Sequence, residues 1–341
     1  PPTVTAFDRY GHVATRVRRL GRGRAERGLY WNYSPNNDGA LYRLDLNTAA
    51  HTHLLDLLAL GGNTLYSYQN LKVHPHSERL YAALPTASDD RIWRSGLDGS
   101  DPEQIITRTI GGDIRAIALT RDHLYWLEAG GGTGTLLRAN LDGSDVVTLT
   151  TALSSPVGLA ADPFAGVVFV AENVGGRIRF YAESGESGYM DPIEELGQPI
   201  VQTLLDNGMA VDPQARMLYV AGERTDGGTG ILRIPYPPAW SGAHTYTEAT
   251  LVVPSNLYLA LASLAVDSGG GKLYFATLDG SGPYTATLRR ANLDGSDLET
   301  VHTAPDHLFW TLSLDLDINH PPTTTVQIVQ VAHNTPTTFT L

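Results

Sequence analysis

The sequence contains no cysteine. That excludes disulfide staples and thiolate metal sites. Lysine is nearly absent as well, at Lys72 and Lys272 alone, while arginine is frequent. This usage fits a secreted bacterial protein from a GC-rich genome better than an animal extracellular one. No apolar run reaches the roughly 18 residues of a membrane-spanning helix, so membrane insertion is not expected. The formal net charge is −12, which speaks against nucleic acid as a partner, because phosphate binding needs clustered cations. There is no Gly-x-Ser-x-Gly element, no glycine-rich phosphate loop and no zinc motif. No catalytic residue, metal site or cofactor is therefore read from motifs. No secretory leader is legible at Pro1, so the chain reads as mature or as a piece of something longer.

What is present is a repeat. Arg138-Ala139-Asn140-Leu141-Asp142-Gly143-Ser144-Asp145 recurs letter for letter at Arg290 to Asp297, and Leu97-Asp98-Gly99-Ser100-Asp101 is a third copy of its core. In each copy an alternating strand runs into Asp-Gly-Ser, a hairpin signal in which glycine supplies positive φ. A second strand then follows, as at Val146-Val147-Thr148-Leu149. Upstream lies an aromatic in an apolar strand: Tyr30, Tyr81, Tyr125, Phe169, Tyr219 and Tyr274, spaced 44 to 55 residues apart. A third element precedes the aromatic: Leu159-Ala160-Ala161-Asp162, Met209-Ala210-Val211-Asp212 and Leu264-Ala265-Val266-Asp267, with weaker copies at Leu71–His74 and Ile117–Thr120. Periods near this length with four strands each mark propeller blades.

The order of inner strand, aromatic strand, Arg-Ala-Asn-Leu-Asp-Gly-Ser and outer strand resembles the YWTD or LDL-receptor class B repeat. The resemblance runs from about Gly28 to Asn319. It implies an all-β fold, a six-bladed β-propeller. It loosens after Arg177-Ile178-Arg179-Phe180, where an irregular insert is expected, and at Tyr236-Pro237-Pro238, which stands where a hairpin belongs. The Thr-Asp of the family name is missing: the chain reads Trp31-Asn32, Trp126-Leu127-Glu128 and Val170-Ala171-Glu172. The family's ligand residues are therefore not carried over. Only five aromatic strands have an inner strand before them. The sixth inner strand is expected at Thr311–Asp315, closing the ring from both ends of the chain.

This gives three regions. Residues 1–27 form a basic N-terminal arm, with Arg16, Arg18 and Arg19 as candidate assembly contacts through acidic surface. Residues 28–319 form the propeller. Residues 320–341 form a Pro/Thr-rich linker and strand tail, weakly similar to the start of a cadherin-like or Ig-like module, in which Val326, Ile328 and Val331 could add a strand to another chain.

Asp162, Asp212, Asp267 and Asp315 recur at one inner-strand position. Such regular recurrence favours turn caps over a single Ca²⁺ site, although oxygen ligands for Ca²⁺ are the alternative. His51 and His53 share a strand face and could hold a metal; a solvent-facing pair is the simpler reading. His74-Pro75-His76 replaces the Asp-Pro of other blades and suggests a turn role. The face bearing the loops before the inner strands is the candidate binding mouth, with Tyr66, Tyr68, Asn70, Arg115, Asn207 and Trp310 around it. Aromatics and arginine are favoured at such surfaces. The leading functional expectation is a non-enzymatic extracellular module of a bacterial surface protein that binds a protein or glycan. A filament subunit joined through its termini and a calcium-dependent hydrolase or lyase are the alternatives.

Overall fold

The computed structural model describes residues 6–7, 13–14, 28–33, 40–46, 48, 50–61, 70–74, 76–86, 89–108, 113–173, 176–193, 204–223, 229–237, 245–254, 260–279, 285–305 and 309–315. Within the arm, Ala6–Phe7 and Val13–Ala14 pair antiparallel. The rest builds six sheets, each with four antiparallel strands, the blades of an all-β propeller. From the inner strand outward, blade 2 is Asn70–His74, Arg79–Pro85, Asp90–Gly96 and Glu103–Arg108. Blade 3 is Asp113–Leu119, His123–Gly130, Thr133–Asn140 and Val147–Ser154. Blade 4 is Pro156–Asp162, Val167–Glu172, Ile178–Ala182 and Ser187–Ile193. Blade 5 is Leu204–Asp212, Met217–Glu223, Thr229–Pro235 and Thr250–Pro254. Blade 6 is Ala260–Asp267, Lys272–Asp279, Thr285–Asn292 and Glu299–Pro305.

Blade 1 draws on both ends of the chain. Its inner strand, Phe309–Asp315, pairs with Gly28–Tyr33, which pairs with Ala40–Asp45 and then His51–Asp56. Leu312 stands opposite Trp31, and Ser313 opposite Tyr30. The inner strands touch in cyclic order, blade 1 to blade 2 and so on through blade 6 back to blade 1.

Two departures from the sequence reading stand out. The segment after Phe180 is no irregular insert: it turns at Gly185 and returns as the regular outer strand Ser187–Ile193. The excursion after Tyr236 does depart from the hairpin. Thr245–Glu248 leaves blade 5 and adds to the outer strand of blade 4 as a parallel fifth strand.

The core lies between blades, because each sheet has two apolar faces to cover. Tyr81, Ile92 and Ile106 of blade 2 pack on Ile117, Leu124 and Trp126 of blade 3. Tyr125, Leu127 and Leu136 of blade 3 pack on Leu159, Val168 and Val170 of blade 4. The Asp-Gly-Ser turn is specified by the same seams. Gly143 and Gly295 have φ of 84° and 86°. A methyl on Gly143 would overlap the carbonyl oxygen of Ile105 in blade 2, and one on Gly295 that of Val252 in blade 5. Glycine is needed there twice over, for its φ and for close approach. The flanking polar residues close the turn: Ser144 N and Oγ both donate to Asp142 Oδ1, and Asn140 Nδ2 donates to Ser144 Oγ and Asp145 Oδ2. The copy at Asn292–Asp297 repeats each of these bonds.

Candidate functional site

Antiparallel alternation sorts the loops to two ends of the ring. The inner strands begin at one end, which also carries the connections from each outer strand to the next blade. They finish at the other, which carries the first turns and the Asp-Gly-Ser turns.

At the turn end, the recurring acids act as caps. Asp162 Oδ1 accepts the Phe164 and Ala165 N–H groups at 2.9 Å each. Asp212 Oδ1 accepts those of Gln214 and Ala215 at 3.0 and 3.2 Å. Asp267 Oδ1 accepts Gly270 N–H at 2.7 Å. In blade 2 a histidine fills the role: Ser77 N–H donates to His74 Nδ1 at 3.0 Å. His74 Nε2 lies 3.0 and 3.1 Å from the carbonyls of Thr120 and Arg121 in blade 3. The ring is thus neutral with its proton on Nε2, and burial pulls its pKa below the usual 6.5. Among the described residues no three His, Asp or Glu side chains converge on one cation position. His53 Nε2 lies 2.8 Å from Asp56 Oδ1, both exposed, while the His51 ring leans on His302 of blade 6 at 4.4 Å.

At the opening end, the structure brings Asn70 and Arg115 together. Asn70 is buried, and its Nδ2 donates to the Arg115 carbonyl at 2.7 Å, tying the inner strands of blades 2 and 3. Asn207 and Trp310 lie on inner strands of blades 5 and 1; their side chains lie outside the described residues, as do Tyr66, Tyr68, Arg16, Arg18, Arg19, Val326, Ile328 and Val331.

The residues at the position of the missing Asp prove informative. Glu128 and Glu172 are buried three residues after the core aromatic. Glu128 accepts a bidentate pair from Arg108 of blade 2 and a bond from Trp126 Nε1 at 2.9 Å. Glu172 accepts Ser154 N–H at 2.7 Å and pairs with Arg179 at 2.9 Å. Both carboxylates bind the outer strand of the preceding blade to their own. In the sequence these residues register only as departures from a motif. The signal that finds them is their shared offset from Tyr125 and Phe169.

No protein-family model matches the sequence, and no curated protein matches it at significance. Solved structures do. A YWTD-type propeller chain of the nidogen–laminin complex is similar, at 16% identity and a TM-score of 0.61, over 85% of this chain and 98% of that one. TolB from Acinetobacter baumannii aligns over 85% of this chain and 68% of its own, at 10% identity and a TM-score of 0.59. A chain assigned as a 6-phosphogluconolactonase of Bacteroides uniformis aligns over 82% and 83%, at 13% identity and a TM-score of 0.52. At such identities the likeness is one of fold, and the fold these structures share with the chain is the β-propeller.

Proposed function

We propose that this propeller is a non-enzymatic extracellular platform that binds a protein partner across the face where the inner strands begin. The observation that carries the reading is the engagement of its recurring acids. Asp162, Asp212 and Asp267 cap turns, and Glu128 and Glu172 tie blades. Side chains that could have formed a channel metal site or an acid–base pair thus hold the scaffold instead. The likeness to a propeller chain solved in the nidogen–laminin complex supports a protein ligand. Residue types favoured at binding hot spots support that face: Arg115 and Trp310 belong to inner strands near their starts, and Tyr66 and Tyr68 precede the inner strand of blade 2 in the sequence, as the candidate set with Asn70 and Asn207 expects.

The test is metal analysis of the full chain purified with calcium, alongside melting curves with and without chelator. The reading expects no stoichiometric calcium and unchanged melting. One tightly held calcium per chain, with a lowered melting temperature on chelation, would overturn it in favour of a hydrolase-type channel site.

A further inference from the structure

Aligned by their partners in the second strand, the six inner strands show one column opposite the core aromatic. It holds Ala118 opposite Tyr125, Ala160 opposite Phe169, Ala210 opposite Tyr219, Ala265 opposite Tyr274 and Ser313 opposite Tyr30. In blade 2 the residue opposite Tyr81 is Lys72. Five blades build this position with a side chain no larger than serine. The fold therefore does not require a lysine, in a chain with only one other.

The neighbours fix where Lys72 lies. Leu71 and Val73 face blade 1, in the core with Tyr30 and Leu41. Asn70, Lys72 and His74 share the opposite strand face, where Asn70 bonds the Arg115 carbonyl and His74 approaches that of Thr120. Lys72 thus emerges between two ties to blade 3, at the inner margin of the seam. Among the described residues its ammonium has no hydrogen-bond or ion-pair partner. Lys272, by contrast, donates to Asn292 Oδ1 at 2.7 Å. Lys72 is half-buried and still reached by solvent, yet burial alone pulls its pKa down to about 8. That combination describes a side chain at the margin of the seam between blades 2 and 3. At neutral pH about a tenth of such amines carry a free lone pair, against far fewer for an ordinary lysine.

We infer that the Lys72 ε-amine is a nucleophilic site at the inner margin of the ring that condenses with small aldehydes. The inference goes beyond the platform reading and needs only the fold. The nitrogen lone pair attacks the carbonyl carbon, forming the C–N bond. The nitrogen proton passes to oxygen to give a carbinolamine, and loss of one water leaves the imine. Amine plus aldehyde equals imine plus water, with no oxidant or reductant. An aldehyde suits the site better than an anion does. The donors that flank Lys72 are engaged, Asn70 Nδ2 with the Arg115 carbonyl and His74 Nε2 with that of Thr120, whereas an imine needs only a desolvated amine. The same crowding limits the aldehyde to a small one.

The test is trapping in the full chain with propanal and cyanoborohydride, read by peptide mapping with Lys272 as internal control. Labelling of Lys72 at pH 7 should run at least about tenfold faster than that of Lys272, with a pH midpoint near 8. The preference should vanish in denaturing urea. Lys72→Ala, which copies the alanine of the other blades, should keep the melting curve and lose the fast label. Equal or slower labelling of Lys72 in the folded chain, or a midpoint near 10, would overturn the inference. So would suppression of the label by acetate at constant pH, which would mark an anion site.

Discussion

The core-aromatic hydroxyls of blades 2 and 5 reach backbone acceptors in the next blade, whereas the tyrosine hydroxyls at both seams of blade 4 end on carboxylates. Tyr81 OH donates to the Leu141 carbonyl, and Tyr219 OH to that of Leu293, each at 3.0 Å. In both, the core aromatic of one blade reaches the Leu before Asp-Gly-Ser in the next. Blade 4 has Glu183 at that position, and Tyr125 OH donates to its Oε1 at 3.2 Å, beside Thr120 and His123. The next seam is reversed. Phe169 has no hydroxyl; it packs on Tyr236, which occupies the Leu position in blade 5, and Tyr236 OH donates back to Asp162 at 2.6 Å. A backbone acceptor tolerates any side chain and any pH. A carboxylate acceptor makes the seam stronger, but sensitive to mutation and to acid.

Asp162→Ala should show the largest contrast. It strands the Tyr236 hydroxyl and two backbone N–H groups, and should cost about 3 kcal/mol by urea unfolding. An unchanged midpoint would mean that the blade 4 seam does not depend on its carboxylate. Next comes Gly295→Ala, expected to lose about 2 kcal/mol or more from its close approach and positive φ. The matching change at Gly185, whose φ is 104° with open space around it, should cost about 1 kcal/mol; equal losses would refute the packing argument. Removing one hydroxyl compares the seams directly: Tyr236→Phe should cost about 2 kcal/mol and Tyr219→Phe about 1 kcal/mol, since bonds to charged acceptors are the stronger.

The smallest effects concern pH. Burial pushes the Glu183 carboxyl up, but hydrogen bonds from Thr120 and His123 outweigh it and hold the group below its usual 4.5. Its contribution is therefore present above that value and lost as pH falls further. Glu183→Gln should flatten the acid limb of a melting-temperature profile. His74 is likewise held below 6.5, so an additional loss begins under that pH as the unfolded chain takes up the proton. A His74→Asn variant whose profile kept that limb would assign it elsewhere.

The repeat made the blades legible because each copy carries its own turn chemistry: glycine at a positive φ, aspartate on a backbone N–H, an aromatic in the seam. The position of the first blade's inner strand followed from counting. The fifth strand of blade 4 did not, since Thr245–Glu248 pairs with a strand more than fifty residues away, and no local pattern specifies a parallel partner. The place of Asn70 at a strand start marks it as a mouth residue in the sequence; the bond of its amide across to blade 3 is visible only in the structure. Lys72 was hidden within a weak copy of the inner-strand motif. It stands out once the strands are aligned by register and the column reads alanine.

Truncation tests the six-bladed ring most directly. A chain ending at residue 319 keeps Phe309–Asp315, the strand paired to Gly28–Tyr33, and should unfold in urea in one cooperative transition close to that of the full chain. A chain ending at residue 308 lacks that strand and should lose the cooperative transition. If the 308-residue chain unfolded cooperatively at the same midpoint, the far end of the chain would not be holding the first blade, and the account of the ring would be wrong.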